Sequence, residues 1–103
     1  MQQQAFRALA DPTRRDILVM LRKGERNIAE VAGQFSMTRG AIQKHLNILD
    51  EGGLISTRTE GRSRINALRP EGMRDVIDWF SFFDTFWDEK LTNLKNEIEK
   101  EKP

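Results

Sequence analysis

Residues 38–54, TRGAIQKHLNILDEGGL, carry the clearest indication of how this chain folds. Thr38 suits the start of a helix, because its hydroxyl can accept a hydrogen bond from a free N–H group of the first turn. Gly52 and Gly53 suit the end, because glycine readily adopts the backbone conformation that terminates a helix. The stretch therefore predicts a helix over about 38–51.

The apolar side chains of this helix are predicted to share one face. At about 100° per residue, six residues fall within an arc of about 160°. These residues are Ala41, Ile42, His45, Leu46, Ile48 and Leu49. His45, the only histidine of the chain, lies near the centre of the arc, which indicates that it packs against the preceding helices. The alternative is a contact between the edge of its ring and a phosphate group.

The opposite face of the helix carries residues of the types that bind DNA. They are Arg39, Gly40, Gln43, Lys44 and Asn47, and Thr38 at the start of the helix is also expected to contact DNA. Gln and Asn can form two hydrogen bonds with an adenine edge, Arg can do the same with guanine, and Lys can neutralise a phosphate. Glycine leaves space where the helix would approach a groove. Taken alone, such a face is more typical of an amphipathic helix that faces solvent, so the neighbouring elements have to decide.

Two helices are predicted in the first part of the chain. Asp11 can cap a helix that begins at the following proline and ends before Gly24. A shorter helix over about 5–10 precedes it, with Phe6 and Leu9 facing inward. Both helices would supply apolar side chains to one core.

A third short helix is predicted directly before the 38–51 helix. Asn27 and Glu30 have the spacing of a capping box, in which two side chains satisfy free backbone N–H groups reciprocally. Apolar residues over 28–35 follow at helical spacing, and residues 36–38 form a brief break. Two short helices joined by a turn of about three residues are typical of a helix-turn-helix.

A β-hairpin is predicted after the two glycines. The segments 54–59 and 63–68 are rich in Ile, Thr and Leu, and Gly61 between them can take a positive φ. Three arginines, Arg58, Arg62 and Arg64, lie on or beside this hairpin. Spread along an exposed element, they suit phosphates or a narrow minor groove better than the reading of a base code. A helix-turn-helix followed by such a wing, over about 54–69, predicts a winged helix-turn-helix.

One long helix is predicted over about 71–100, since no proline interrupts it. Its apolar residues keep to one stripe, which includes Trp79, Phe83, Phe86, Trp87, Leu91 and Leu94. A helix of about 30 residues is about 45 Å long, more than a domain of this size can cover. We expect the stripe, with Phe6 of the first helix, to form the interface of a twofold homodimer.

Other interpretations of the aromatic helix rank below the dimer. An aromatic stripe at helical spacing is most often plain core, and core together with a dimer interface ranks above a pocket for a small apolar ligand between helices. Ile77 and Phe82 fall off the centre of the stripe, and a contact with an unknown small-molecule effector or a partner would be sought there. Binding to a membrane surface is disfavoured, because the polar face is rich in Asp and Glu.

Composition excludes several classes of function. The chain has 103 residues, enough for one domain, and 38% of them are hydrophobic and 32% charged. It has no cysteine and one histidine, so disulfides, thiolate chemistry and multi-histidine metal sites are excluded within one chain, and no metal or cofactor is expected. No nucleophile motif or phosphate-binding glycine loop is present, which argues against an enzyme. Without a long apolar run or a secretory signal, we expect a cytoplasmic protein that does not enter membranes.

Charge is unevenly distributed along the chain. Residues 1–69 carry 12 Lys or Arg and 7 Asp or Glu, a net charge of +5, whereas residues 70–103 carry 5 and 9, a net charge of −4. This asymmetry indicates that the first part meets a polyanion, and double-stranded DNA is the expected partner.

Three segments carry a family resemblance that covers most of the chain. FRALADPTRRDIL, IAEVAGQFSMTRGAIQKHLNILDEGGLI and RTEGRSRINAL together resemble the ArsR/SmtB family of bacterial winged-helix repressors, and the Trp- and Phe-rich last helix resembles that of some members. The resemblance implies a mainly α fold with a small β-hairpin and a long C-terminal dimerisation helix. It also implies a homodimeric transcriptional repressor whose recognition helix is the 38–51 helix.

Two departures from the family limit what the resemblance implies. Metal-sensing members place cysteines on the helix that matches 28–35, or His with Asp or Glu on the last helix, and this chain has neither set. Gln43 stands where many members have Ser, so the operator sequence cannot be carried over. The alternative function is a winged helix that serves only as a protein–protein interaction module.

Overall fold

The computed structural model describes residues 3–100. Within this range the chain forms six helices and three strands. They are α1 (Gln3–Leu9), α2 (Pro12–Arg22), β1 (Arg26–Asn27), α3 (Ile28–Ala32), α4 (Arg39–Glu51), β2 (Ile55–Glu60), β3 (Ser63–Leu68), α5 (Pro70–Ser81) and α6 (Asp84–Lys100). The mainly α architecture with a small antiparallel sheet agrees with the winged helix-turn-helix that the sequence predicts.

Capping fixes where α2 begins. The carboxylate of Asp11 accepts a hydrogen bond of 3.1 Å from the backbone N–H of Arg14, and Pro12 occupies the first helical position. The side chains of Ile17, Leu18 and Leu21 are buried, so α2 turns one apolar stripe toward the core.

The helix α3 is shorter than the predicted 28–35. Its capping box is present: Asn27 accepts from the N–H of Glu30 at 2.8 Å, and Glu30 accepts from the N–H of Asn27 at 3.0 Å. After Ala32, however, the N–H groups of Gln34 and Phe35 bond to carbonyl groups three residues back, as in a tighter 3₁₀ turn. This tightening ends α3 early and leaves a longer connection to α4.

The core lies between α4 and the elements around it. Thr38 caps α4, since its hydroxyl accepts from the N–H of Ala41 at 3.1 Å. Ile42, Leu46 and Leu49 of α4 are buried. Within residues 3–100, the buried apolar residues are Ala5, Ala8, Ile17, Leu18, Leu21, Val31, Ile42, Leu46, Leu49, Leu54, Ile55 and Val76. The predicted apolar face of the 38–51 helix is thus confirmed.

The strands β2 and β3 form a hairpin within a three-stranded antiparallel sheet of order β1-β3-β2, in which β3 is the central strand. Glu60 pairs with Ser63 across a two-residue turn, and Gly61 has φ of +63°, as the first central residue of a type II′ turn requires. The short strand β1 is not predicted from the sequence. It pairs with β3, and the buried side chain of Asn66 strengthens this edge by donating to the carbonyl of Arg26 at 3.2 Å.

The expected single helix over 71–100 is instead two helices, α5 and α6. The N–H groups of Phe82 and Phe83 bond to carbonyl groups three residues back, and the hydroxyl of Ser81 donates to the carbonyl of Asp78 at 2.6 Å. A serine that bonds back to the helix backbone competes with the regular helical hydrogen bonds. Regular α-helix therefore stops at Ser81 and resumes at Asp84.

Close packing fixes the start of α5. A Cβ atom built on Gly72 would overlap the carbonyl oxygen of Gly53, so no larger residue fits without moving the backbone. Trp79 then lies edge-on to Phe6 of α1, with 5.6 Å between ring centroids. These two contacts hold α5 against the turn after α4 and against α1.

Candidate nucleic-acid interface

The outward face of α4 holds the polar residues that the sequence assigns to it. Arg39, Gly40, Lys44 and Asn47 are exposed, and Gln43 is half-buried. The amide group of Gln43 donates to the amide oxygen of Asn47 at 2.8 Å. This bond aligns two amide side chains one turn apart, and each keeps a free donor and a free acceptor position.

The two ends of α4 differ in charge. Arg39 and Lys44 lie in its N-terminal half, whereas its C-terminal end borders an acidic cleft. The charged residues that line this cleft are Asp50, Glu51, Arg69, Glu71 and Asp75. A polyanion is therefore attracted to the N-terminal half of α4 and repelled by four carboxylates at the other end.

A second cleft, of about 280 Å³, lies between the start of α4, the start of α3 and the tip of the hairpin. Arg39 and Gln43 line it from α4, and Arg62 and Arg64 line it from the hairpin. Residues far apart in sequence are thus brought to one place. Ser63 and Asn27 also line this cleft and were missed from the sequence, where no local signal marks them.

Arg58 has a different environment from the other hairpin arginines. Its guanidinium donates to the carboxylate of Glu25, which precedes β1, and also to that of Glu60 at 3.1 Å. The hydrogen bond from Arg58 holds the pKa of Glu25 below its ordinary value, and both carboxylates raise the pKa of Arg58. With two carboxylates at its guanidinium, Arg58 is suited to anchoring the hairpin to the segment before β1.

His45 lies between α4 and the N-terminal end of α2, as its place on the apolar arc predicts. Its Nδ1 atom is 3.3 Å from a guanidinium nitrogen of Arg14 and 3.9 Å from the carboxylate of Asp11. Arg14 also donates to the carbonyl of Ala8 at 2.8 Å, and so connects α1, α2 and α4. The position of His45 supports a structural role.

The carboxyl group of Asp11 is affected by the same cluster. Partial burial raises its pKa, but the hydrogen bond from the N–H of Arg14 and the charges of Arg14 and His45 together lower it by more than burial raises it. The net result is a pKa below the ordinary value for aspartate, so Asp11 is ionised when it caps α2.

The aromatic stripe continues along α6 and is exposed. None of the residues of α6 is buried, and the exposed fractions of the stripe from Phe83 to Leu94 range from 36% to 63%. Phe86 and Trp87 lie edge-on to each other with 5.1 Å between ring centroids. Ile77 and Phe82, the two residues off the stripe, are 62% and 80% exposed. Within residues 3–100, the rest of the protomer therefore leaves the large apolar side chains of this stripe uncovered.

Among residues 3–100, no three His, Cys, Asp or Glu side chains lie close enough together to hold a metal ion. None of the helices in this range is both long and apolar enough to cross a membrane.

A short helix, the connection formed by residues 33–38, a second helix with an outward polar face and an arginine-bearing hairpin define a winged helix-turn-helix. In this class of DNA-binding proteins, the second helix enters the major groove and its N-terminal residues contact base edges. The N-terminal half of α4 and the cleft beside it carry basic side chains on the same side of the protomer as the hairpin tip.

Comparison with known proteins places the chain in a family. The profile described as "Bacterial regulatory protein, arsR family" matches residues 11–57. The transcriptional repressor SdpR of Bacillus subtilis (strain 168) is 35% identical over 78 residues, which are 76% of this chain and 87% of the relative. The chain belongs to the ArsR family of bacterial regulatory proteins and is a DNA-binding transcription regulator.

Solved structures agree with this assignment. A crystal structure of an ArsR family transcriptional regulator is 35% identical, with a TM-score of 0.75 and coverage of 82% of this chain and 88% of that one. A second is the homodimeric winged helix-turn-helix DNA-binding domain of a possible ArsR-family regulator from Mycobacterium bovis. It is 29% identical, with a TM-score of 0.62 and coverage of 87% of this chain and 81% of that one.

Proposed function

We propose that this chain is a homodimeric repressor that binds an imperfect palindrome in DNA. The observation that carries the proposal is the outward face of α4, whose basic and amide side chains stand apart from the acidic end of the same helix. A repressor among the relatives supports the direction of regulation. Such a regulator acts where the bacterial chromosome lies, so the proposal also places the chain in the cytoplasm.

Base reading is assigned to the N-terminal half of α4. Gln43 and Asn47, held together by their 2.8 Å hydrogen bond, present amide groups to base edges, and Arg39, at the start of the same helix, contacts the DNA beside them. Lys44 and Thr38 are assigned to phosphates. Gly40 is assigned to the closest approach of the helix to DNA, because its surroundings are open.

The wing is assigned to sequence-independent contacts. Arg62 and Arg64 are exposed at and beside its turn, where they can reach the phosphate backbone or a narrow minor groove. Arg58, predicted from the sequence to contact DNA as well, is reassigned to positioning the wing, because Glu25 and Glu60 occupy its guanidinium.

The dimer interface is assigned to α6, the end of α5 and Phe6. An exposed apolar stripe on a helix that projects from the domain is covered economically by a second copy of the same stripe. The interface set is Phe6, Trp79, Phe83, Phe86, Trp87, Leu91 and Leu94. One structural relative is described as homodimeric, which supports this assignment. Two recognition helices would then meet successive major-groove faces about 34 Å apart.

A gel shift against genomic fragments at rising salt tests the DNA-binding part of this proposal. We expect selective retention of fragments that contain an imperfect palindrome, with affinity that falls as salt rises. Absence of binding at low salt would refute the repressor assignment and would favour an interaction module.

Two variants separate reading from anchoring. Gln43→Ala is expected to relax specificity at one or two base positions, whereas Arg62→Ala is expected to weaken binding to all sequences alike. Affinity is measured by fluorescence anisotropy on the operator and on duplexes with single base-pair changes. A uniform loss in both variants would show that the division of roles is wrong.

A charge placed on the stripe tests the dimer. Leu91→Glu should give a monomer mass in light scattering, because an unpaired carboxylate is costly in an apolar interface. Its side chain is 63% exposed, so the protomer fold should survive, as circular dichroism would show. Asn96→Glu, on the polar side of the same helix, is the matched control and should stay dimeric. A wild-type monomer at micromolar concentration would refute the role given to α6.

The small-molecule effector stays a prediction. Ile77 and Phe82 are largely exposed, so an apolar ligand at these side chains would meet an open surface. A rise in operator dissociation on addition of an effector, measured with Phe82→Ala as the comparison, would test whether this surface takes part in regulation.

A further inference from the structure

The cleft between α4 and the wing brings together cationic side chains from two elements that the proposed function treats separately. Arg39 comes from the first turn of α4, and Arg62 and Arg64 come from the tip of the hairpin. Its remaining lining residues are Asn27, Ile28, Ala29, Gln43 and Ser63. None of these residues carries a carboxylate.

The pairing of the arginines distinguishes this cleft from the rest of the hairpin. Among the ion pairs formed within residues 3–100, none includes Arg39, Arg62 or Arg64. Arg58, on the same hairpin, is bound by two carboxylates. Three like charges around one cleft repel one another, and an anion in the cleft would relieve this repulsion. The cleft is therefore suited to an anionic group.

We propose that this cleft binds a single phosphate of the DNA backbone. Arg39 contacts this phosphate from α4, and Arg62 and Arg64 contact it from the wing. The inference rests on the proposed DNA binding. A backbone phosphate is favoured over a free anion because Gln43, assigned to base reading, lines the same cleft. A phosphate held there lies at the edge of the groove that Gln43 reads. The recognition helix and the wing are then fixed to one point of the backbone, and this determines which base pairs lie opposite the side chains of α4.

Salt dependence counts the phosphates involved. Each phosphate that a protein neutralises contributes a slope of about −0.9 to the plot of log affinity against log salt. If the three arginines of each protomer bind one phosphate, the slope of the dimeric triple variant Arg39→Ala/Arg62→Ala/Arg64→Ala should be smaller in magnitude by about 1.8, counted over both protomers. Three arginines on three separate phosphates predict a loss of about 5.4.

The experiment uses the full chain and a fluorescent 30-base-pair duplex of mixed sequence, so that no operator has to be known. Slopes are measured by anisotropy for wild type, for the triple variant and for Arg74→Ala, an exposed arginine of α5 outside the cleft, as control. Single variants Arg39→Ala and Arg62→Ala are each expected to weaken binding by about tenfold. Their combination should weaken it by clearly less than the product, because both hold the same phosphate.

The outcomes separate this inference from the proposed function. Failure of the wild-type chain to bind the duplex overturns both. If the wild-type chain binds, three results would overturn the shared phosphate site and leave DNA binding standing. The first two are a slope loss near 5.4 and no slope loss in the triple variant. The third is a double variant whose loss of affinity equals the product of the two single losses. A calorimetric titration with inorganic phosphate tests whether the cleft binds a free anion instead. Saturable phosphate binding that the triple variant abolishes, while its DNA slope is unchanged, would assign the cleft to a free anion and overturn the backbone assignment.

Discussion

Replacement of Gly40 by alanine should separate stability from DNA binding. Gly40 occupies the second position of α4 and its backbone is not left-handed, so alanine can adopt the same conformation. Apart from its chain neighbours and the backbone of its own helix, a Cβ atom at this position would have only the hydroxyl of Thr38 within 4 Å, at 3.9 Å, an ordinary van der Waals distance. Nothing in the folded protomer therefore requires a glycine here.

The expected stability change follows from these contacts. Since the methyl group meets no obstacle, the variant should gain about 0.5–1 kcal/mol from the higher helix propensity and lower unfolded-state entropy of alanine. For a domain of this size, such a gain raises Tm by about 2–8 °C. Thermal denaturation followed by circular dichroism measures this shift.

The expected change in DNA binding has the opposite sign. If the start of α4 approaches DNA as proposed, the methyl group fills the space at the point of contact and should weaken operator binding by about tenfold, which corresponds to about 1.4 kcal/mol. Anisotropy at constant salt measures this loss. A variant that is more stable and binds as tightly as wild type would refute the assignment of Gly40 to the contact. A less stable variant would refute the reasoning about its open surroundings.

Three further predictions rest on other elements. Gly72→Ala should destabilise the fold by about 1–3 kcal/mol in chemical denaturation, because its Cβ atom would overlap the carbonyl of Gly53. Thr38→Ala should cost about 1 kcal/mol and weaken DNA binding, because α4 loses its cap; unchanged denaturation would contradict the role of the hydroxyl. Asp11→Asn keeps a capping oxygen but removes the ionised carboxylate whose pKa is lowered in the folded state. The stability advantage of wild type should be complete at neutral pH and should disappear as pH falls from about 5 towards 2, and a constant difference would contradict it.

Local signals explain why much of the DNA-facing element could be predicted. The cap at Thr38, the stop after Glu51 and the apolar arc through Ile42 and Leu49 all lie within one stretch of the chain. Helical periodicity then fixes which residues face outward, without information about any other element. The assignment of Arg39 and Asn47 to the exposed side was possible for this reason.

Contacts between distant residues explain what the sequence did not predict. Arg58 and Glu25 are 33 residues apart, and Arg14 and His45 are 31 apart. Neither pair leaves a periodic signal, because each depends on how separate elements pack. The strand β1 has the same origin, since its two residues become a strand only when β3 lies beside them. In the last segment, helix propensity favoured one continuous helix, but a local hydrogen bond of Ser81 accompanies its division.

The sequence by itself determined the helices of the DNA-binding half, the hairpin and the faces of the 38–51 helix, and hence the winged helix-turn-helix. Capping, periodicity and turn chemistry act over a few residues, so they are readable from the chain alone. Only the tertiary structure decided which arginines are paired with carboxylates and which line the cleft beside α4. Charge pairing depends on distance in space, and the packing of the hairpin against α3 and α4 set those distances.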